Sequence, residues 1–585
     1  MDSKHVTEST SGQEDIQKTW WKEAIIYQIY PRSFQDSDGD GIGDLNGITS
    51  RLDYIQSLGV DIIWLNPIFL SPNDDNGYDY REIMREFGTM EDFDRLLKEI
   101  HKREMRLVLD LVVNHTSDEH PWFEEARKSR HNPYYNYYHW WPAEKGEPPL
   151  RLSYFDEEGN AWTYNKPTDS YYLHYFSRKQ PDLNWENPEV RQEIFDMMRF
   201  WFDKGIDGFR MDSISLIAKD PSFPLIDSKK YPDIFSFYAK EPRLHLYLHE
   251  MNRQVLSKYD CMSVGEGSAV MVDDVAKFVD PAREELNMLY HFDAARIRNT
   301  TLPDNPESGI DYSLIALKKM FTEWDKAVDK GWPSIYLGNH DQPRMVSRFG
   351  SDKDEFRALS AKMLITFLLT MRGTPYWFAG DEIGMRNIRF DRIEDYNDID
   401  TINRYKKAKA EGKDPQAVLD EQKETGRDNA RTPFQWDRSP EAGFTAGTPW
   451  LKVNPDYTWI NVADEEKDPT SILNYFKKVV SFRKENPSLI YGSYHLLDAE
   501  NPQSYTFLRK TGADTYLIML NFSHKAAIST PGIDMSNAHV LLDNYGDRSH
   551  MAPQKDITLR PFEAIVFQLN HPVYESFIDS LDLLE

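Results

Sequence analysis

Met105-Arg-Leu-Val-Leu-Asp-Leu-Val-Val-Asn-His115 is a largely apolar run, interrupted by Arg106 and Asp110, that ends in two polar side chains. A continuous apolar stretch of this kind suits a strand covered on both faces, as in a parallel sheet. It follows a segment in which Phe93, Leu96, Leu97 and Ile100 recur at helical spacing. A buried strand behind an amphipathic helix is one unit of a βα repeat.

Working outward, the same unit recurs. Upstream lie residues 24–30 (AIIYQIY) and 61–69 (DIIWLNPIF), the second after a helical pattern of Ile48, Leu52, Ile55 and Leu58. Downstream lie 208–214 (GFRMDSI), 262–266 (MSVGE), 288–292 (MLYHF), 335–339 (IYLGN) and 375–379 (PYWFA), mostly separated by helix-like segments. These eight strand candidates predict an α/β fold, a (β/α)8 TIM barrel spanning residues 20–115 and 182–492. Residues 116–181, rich in Tyr, Trp, His and Pro, are too long for a βα loop and read as an inserted domain after strand 3. The charged stretch 391–427 reads as a helical excursion over the barrel mouth. Near the end, 505–508, 515–522, 539–542 and 563–569 are β-type runs without helices between them. They predict a C-terminal antiparallel β-sandwich domain over 493–585. Residues 1–19 are polar, lack an apolar core, and read as a disordered tail rather than a signal peptide.

Composition narrows the function. The chain has 585 residues, with 69 Lys and Arg against 96 Asp and Glu, a formal charge of −27. That sign repels phosphate backbones and argues against a nucleic-acid partner. The single cysteine, Cys261, excludes an internal disulfide and cysteine-built metal centres. No run approaches about 18 apolar residues, so no membrane span is expected. A monomeric cytoplasmic enzyme is the simplest expectation.

In a barrel of this type the active site lies where the strands end. Strand three carries Asp110 and then His115, strand four Arg210 and Asp212, strand five Glu266, and strand seven Asn339-His340-Asp341. Carboxylates facing one another, without a transition-metal ligand set, suit glycoside hydrolysis. One stays ionised to attack the anomeric carbon; the other holds a proton for the leaving oxygen. Arg210 lies two residues before Asp212, on the same strand face, and would keep it ionised. Glu266 sits in an apolar Val-Gly-Glu-Gly setting, where desolvation raises a carboxyl pKa.

The segments Asp110-Leu-Val-Val-Asn-His115, Gly208-Phe-Arg-Met-Asp-Ser213, Val264-Gly-Glu266 and Asn339-His-Asp341, with Gly43-Asp-Leu-Asn-Gly47 and Gln180-Pro-Asp-Leu-Asn184, resemble those of glycoside hydrolase family 13, the α-amylase family. The resemblance spans about residues 20–569 and is nearest to the oligo-1,6-glucosidase and α-glucosidase branch. It implies Asp212 as nucleophile, Glu266 as general acid/base and Asp341 as the carboxylate that holds sugar hydroxyls. It implies His115, His340 and Arg210 as glucose-site residues, and a retaining mechanism whose carboxyl pair stands about 5 Å apart. Asp75 and Tyr78 resemble residues that close the far side of the glucose pocket. Arg427 and Arg431 lie in the segment that supplies a partner arginine, with an Asp75–Arg431 ion pair expected. Phe176 and Tyr78 are candidates to stack on the sugar.

Asp36-Ser-Asp-Gly-Asp-Gly-Ile-Gly-Asp44 places Asp36, Asp38, Asp40, the Ile42 carbonyl and Asp44 at the alternate positions of a calcium loop. Gly47 stands where an EF-hand needs its glutamate. The resemblance implies a structural calcium ion here, or magnesium in its place, and no cofactor for catalysis. Ser213, directly after the nucleophile, departs from the valine typical of isomaltose-cleaving relatives and favours α-1,4 or mixed activity. Sucrose isomerases share the architecture but carry an arginine-rich run beyond the sixth strand. Arg296-Ile-Arg298-Asn299 matches that run only in part, leaving isomerase or transglucosidase action as the alternative. A non-catalytic, transporter-associated homologue is a remote one, since the three carboxylates are kept.

Overall fold

The computed structural model describes residues 18–70, 79–154, 159–227, 229–231, 234–512, 514–549 and 554–569. The amino-terminal tail read as disordered lies almost wholly outside this set, as do Asp75 and Tyr78.

Eight parallel strands form one sheet: β1 (Ile26–Ile29), β2 (Ile62–Leu65), β3 (Arg106–Val112), β4 (Gly208–Asp212), β5 (Met262–Glu266), β6 (Met288–Tyr290), β7 (Ser334–Ile335) and β8 (Thr374–Phe378). Their order is β6-β5-β4-β3-β2-β1-β8-β7. The seam between β6 and β7 is stitched by side chains: Ser334 Oγ donates to the Leu289 carbonyl (3.0 Å) and Tyr336 OH to the His291 carbonyl (2.7 Å). Every residue of β1, β2, β5 and β8 is buried, as the apolar runs require. Gly265 allows β5 and β6 to approach, because a Cβ there would meet Leu286, Ile214 and Leu289 side chains at 2.7–2.9 Å.

The helices start where capping chemistry allows. Met90–Lys102 opens with a Thr89/Asp92 capping box and buries Phe93, Leu96, Leu97 and Ile100. Pro188–Lys204 opens with an Asn187 cap and Pro188, and stops at left-handed Gly205 (φ 108°). Arg357–Thr370 buries side chains on all sides, because it lies between barrel and C-terminal domain.

Between β3 and β4, a three-stranded antiparallel sheet (Trp140–Pro142, Ser170–Leu173, Trp162–Asn165) occupies the expected insertion. After β8, helices Ile399–Ala410 and Pro415–Thr425 form the excursion beside the mouth. The C-terminal sheet has five antiparallel strands: β9 (Ser493–Leu497), β10 (Ser504–Thr511), β11 (Asp514–Asn521), β12 (Ala538–Asp543) and β13 (Ala564–Leu569), in the order β9-β10-β11-β13-β12. A hairpin, Ala527–Ser529 with Ile557–Leu559, shares a second apolar core with it.

This domain is fastened by buried cations that meet carbonyls instead of carboxylates. Arg509 Nη1 and Nη2 donate to the carbonyls of Leu489 (2.8 Å), Ile490 (3.2 Å) and Gly492 (2.7 Å). Arg483 donates to those of Leu369 (2.8 Å), Met371 (3.0 Å), Gly373 (2.6 Å) and Leu489 (2.9 Å). Lys318 Nζ donates to Asp498 (3.0 Å), Asn501 (2.8 Å) and Ser504 (3.2 Å) carbonyls.

Candidate active site

Strand register alone assembles the centre. β3 and β4 pair Asp110 with Arg210, and β5 and β6 pair Glu266 with Tyr290. Met211 pairs with Gly265, so Asp212 and Glu266 follow side by side at the strand ends. Arg210 is the hub of the cluster. Its Nη1 donates to Asp110 Oδ1 (2.8 Å) and Asp212 Oδ1 (2.6 Å), and its Nη2 to Glu266 Oε2 (2.7 Å) and Tyr290 OH.

Two of the three carboxyls on this guanidinium are pushed in opposite directions. Burial would raise Asp212, but Arg210, a hydrogen bond from Glu266 and nearby His115 bring it below the usual range. Burial raises Glu266 well above the ordinary glutamate value despite Arg210, helped by the charge of Asp212 beside it. The site thus pushes the two carboxyls in opposite directions, Asp212 toward the carboxylate and Glu266 toward the acid. Asp110, deeper in the barrel, is pushed up to about 7 by burial against the pull of Arg210.

Ser213 adopts a left-handed conformation (φ 43°), which costs a non-glycine residue roughly 1–2 kcal/mol. The turn aims the Ser213 N–H at Glu266 Oε2 (3.0 Å).

Asp341 lies across the cleft. Burial works against its charge, but His340, Arg431 and Arg427 hold its carboxyl well below the usual range. Arg431 Nη2 donates to Oδ1 at 2.7 Å and Arg427 Nη1 at 3.3 Å. His340 Nε2 stands 3.1 Å from Oδ2, while Gln28 Nε2 donates to His340 Nδ1 (2.8 Å). That pairing fixes the Nε2–H tautomer. The His340 pKa is pushed down to about 4, chiefly by burial, so the ring is neutral and the charge on Asp341 is matched by the two arginines.

His115 is buried, with Gln180 Nε2 at 3.1 Å from Nε2 and Asn114 Nδ2 at 3.3 Å from Nδ1. Phe176 sits 5.2 Å from its ring and stacks on Tyr154 (5.1 Å, 16°), so one of its faces is already covered. His115, Phe176, Arg210, Asp212, Ser213 and Glu266 line one cleft of about 970 Å³ with His340, Asp341, Arg427 and Arg431. Of the residues expected near the sugar, only Asp75 and Tyr78 are outside the described set, so the Asp75–Arg431 pair is not seen. Among the described residues Arg431 binds Asp341 and the His340 carbonyl (2.8 Å).

Three contributors were missed by motif reasoning. Tyr290 grips Arg210 from β6. Asn66 accepts from Gln28 (2.8 Å) and donates to Asp110 (3.2 Å). Asp398 caps the helix Ile399–Ala410 and binds Arg427 Nε at 2.8 Å. Only Asp398 left a local trace, the cap pattern Asp398-Ile-Asp-Thr401.

The acidic loop is less complete than its spacing suggested. Carboxylate oxygens of Asp36, Asp38 and Asp40 lie within 4.8 Å of one another, a spacing one cation can bridge. Asp44 does not join them. It accepts from Ser37 N (2.7 Å), Ser37 Oγ (2.8 Å) and Gly47 N (2.8 Å), capping the helix Leu45–Ser50. Burial and the neighbouring Asp38, Asp36 and Asp44 raise the Asp40 pKa, as expected of crowded anions without a counter-charge.

A buried pair of carboxyls at the C-terminal mouth of a (β/α)8 barrel is the arrangement of a glycoside hydrolase centre. The alpha-amylase catalytic-domain model matches residues 28–492, and the chain belongs to this family. An oligo-1,6-glucosidase of Parageobacillus thermoglucosidasius is 51% identical over 571 residues, covering 95% of this chain and all of that one. An oligo-1,6-glucosidase of Bacillus cereus is 48% identical, over 95% and 100% of the two chains. Among solved structures, an isomaltulose synthase mutant from Erwinia rhapontici NX5 in complex with sucrose superposes with a TM-score of 0.90 at 43% identity, covering 95% of this chain and 100% of that one.

Proposed function

We propose that this chain is an exo-acting, retaining α-glucosidase that releases terminal α-D-glucose from short oligosaccharides or disaccharides of the maltose, isomaltose or sucrose type. The observation that carries the reading is the pair on Arg210: Asp212 at 2.6 Å and Glu266 at 2.7 Å from one guanidinium, with the pKa of the first lowered and that of the second raised. Asp212 attacks the anomeric carbon while Glu266 protonates the departing oxygen, giving a covalent glucosyl ester. Glu266, now ionised, takes a proton from water, which opens the ester with net retention. Asp341, fixed by Arg427 and Arg431, is placed to accept hydrogen bonds from sugar hydroxyls that tighten as the ring flattens. The similarity to oligo-1,6-glucosidases supports the same class. Asp212→Asn, with p-nitrophenyl α-glucoside as substrate, tests it: the expected loss is at least about a thousandfold in kcat. Hydrolysis at the wild-type rate would overturn the assignment.

Sucrose isomerisation is the second reading, favoured by the likeness to an isomaltulose synthase. Of the partial arginine run, only Arg296 faces the cleft, whereas Arg298 is ion-paired with Asp311. Free glucose and fructose from sucrose indicate hydrolysis; isomaltulose or trehalulose indicates isomerisation.

A calcium ion would sit on Asp36, Asp38 and Asp40 with the Ile42 carbonyl, bracing the loop and taking no part in the chemistry. None of the described helices is long and apolar enough to cross a membrane. Cytoplasmic location, a monomeric state and the absence of a nucleic-acid partner complete the proposal.

A further inference from the structure

Lys219 is a buried cation that the two-step chemistry does not use. Its ammonium stands 3.0 Å from Asp182 Oδ2, and among the described residues this is the one ion pair in which neither side chain has any exposed surface. Nζ also donates to Asn114 Oδ1 (2.6 Å) and lies over the Tyr175 ring at 5.0 Å from its centre. Burial lowers the Lys219 pKa and raises that of Asp182, each against the attraction of the other, so the charges are kept here at a cost. Apolar side chains of similar volume fill such a place at equal or better stability, so stability alone does not account for the pair.

The partners identify what the ammonium holds. Asn114 and Asp182 lie on the two stems through which the inserted domain leaves and rejoins the barrel. The stems pair antiparallel: His115 faces Asp182, Leu183 N donates to the Asn114 carbonyl (2.9 Å) and Thr116 N to the Pro181 carbonyl (3.2 Å). One stem carries His115 and the other carries Gln180, whose Nε2 stands 3.1 Å from the His115 ring. Asp182 Oδ1 adds a bond from Tyr175 N (3.2 Å), inside the insertion. Lys219 itself comes from a third segment, the stretch that leaves Asp212. That stretch, Ser213–Lys219, is buried throughout. The end of β4 and the two stems that carry the glucose-site side chains thus meet on one ammonium.

We infer that Lys219 is a positioning residue for the terminal-glucose site: by joining Asn114 and Asp182 it sets His115 and Gln180 against Asp212. This rests on the α-glucosidase reading and adds to it a residue that touches no substrate. Lys219 is absent from the cleft lining, so it acts only through the stems.

Two variants test this. Lys219→Met removes the ammonium and keeps most of the volume. Lys219→Met/Asp182→Asn also neutralises the carboxyl left behind, whose stranded charge would by itself destabilise the fold. With p-nitrophenyl α-glucoside as substrate, the readouts are kcat/KM, the Ki of glucose as competitive product, and the thermal unfolding midpoint. In whichever variant folds, kcat/KM is expected to fall by about a hundredfold, the effect of a displacement of about 1 Å at a positioned group. The Ki of glucose is expected to rise by about tenfold, as for one weakened hydrogen bond to the sugar. A lysine that serves only the fold would lower the midpoint and leave both constants of the folded enzyme at wild-type values, and that result overturns the inference. Failure of both variants to fold overturns it as well, since stability would then be what the lysine supplies. The wild type keeps the two readings apart: an inert wild type removes the α-glucosidase, whereas an active wild type matched by its folded variants removes only the positioning role.

Discussion

Replacing Arg210 by methionine should disable the centre by changing charge states rather than shape. Methionine fills comparable volume but withdraws the donors that serve Asp110, Asp212 and Glu266. Removing one partner of a buried ion pair costs about 3–5 kcal/mol. At 1.36 kcal/mol per unit, that corresponds to about two to four pKa units on the carboxylate that loses its cation. Asp212 has a lowered pKa because Arg210, together with the Glu266 hydrogen bond and His115, outweighs burial, so removing the arginine moves that pKa upward. The nucleophile must be ionised, and activity is lost as pH falls through its pKa. The acid limb of the kcat/KM profile should therefore move upward by about two to four units. At neutral pH the rate should drop by at least about a hundredfold. Glu266, which burial already raises, stays protonated, so the loss appears on the acid side first. The assay is the pH profile for p-nitrophenyl α-glucoside, with thermal unfolding run beside it. An acid limb within half a unit of wild type, in a folded variant, would refute the reasoning.

Three further outcomes follow from other parts of the molecule. Ser213→Val should shift the maltose-to-isomaltose ratio of kcat/KM toward isomaltose and lower the melting temperature, because a β-branched residue tolerates φ 43° poorly; an unchanged ratio would count against it. Calcium at a hundredfold over its Kd should add about 2.7 kcal/mol of stability relative to a chelator, with the effect abolished in Asp40→Asn; equal unfolding midpoints with and without the ion would remove the metal proposal. Lys318 has its pKa lowered from 10.5 to about 8 by burial, so the folded state releases its proton earlier than the unfolded chain does. Stability relative to Lys318→Met should then rise as pH goes from about 8 to 10.5, by roughly 3 kcal/mol; a pH-independent difference in unfolding free energy would contradict it.

The barrel was legible because each strand announces itself locally. Residues 105–113 must be apolar on both faces, and the observed strand, Arg106–Val112, lies inside that run. The seventh strand is only Ser334–Ile335, although the apolar signal extends to Leu337, since the backbone leaves the sheet early to present Asn339-His340-Asp341. Strand β9 (Ser493–Leu497) was passed over, because its mixed pattern, SYHLL, lacks the apolar alternation of its neighbours. At the site, residues within one motif were readable: Arg210 and Asp212 share a strand face by parity alone. Tyr290, Asn66 and Gln28 were not, because their roles arise only when β1, β2 and β6 are laid beside the catalytic strands. Asp44 shows the converse error. Its spacing matched a ligand, but a helix began right after it, and capping claimed the carboxylate.

The carbonyl cages around Arg483 and Arg509 give the C-terminal domain a different standing from that of an appendage. A junction built on carboxylate partners loosens when acid protonates them. These cages contain no titrating acceptor, so falling pH reaches the catalytic carboxyls long before it reaches the seam. The Arg509 guanidinium, carried on β10, ties together the carbonyls of Leu489, Ile490 and Gly492 at the point where the barrel hands over to the sheet. Cutting the chain there would spare every catalytic group and still take the Arg509 donors from the Ile490 and Gly492 carbonyls, leaving Leu489 to Arg483 alone. The C-terminal sheet is thus the clasp of the barrel.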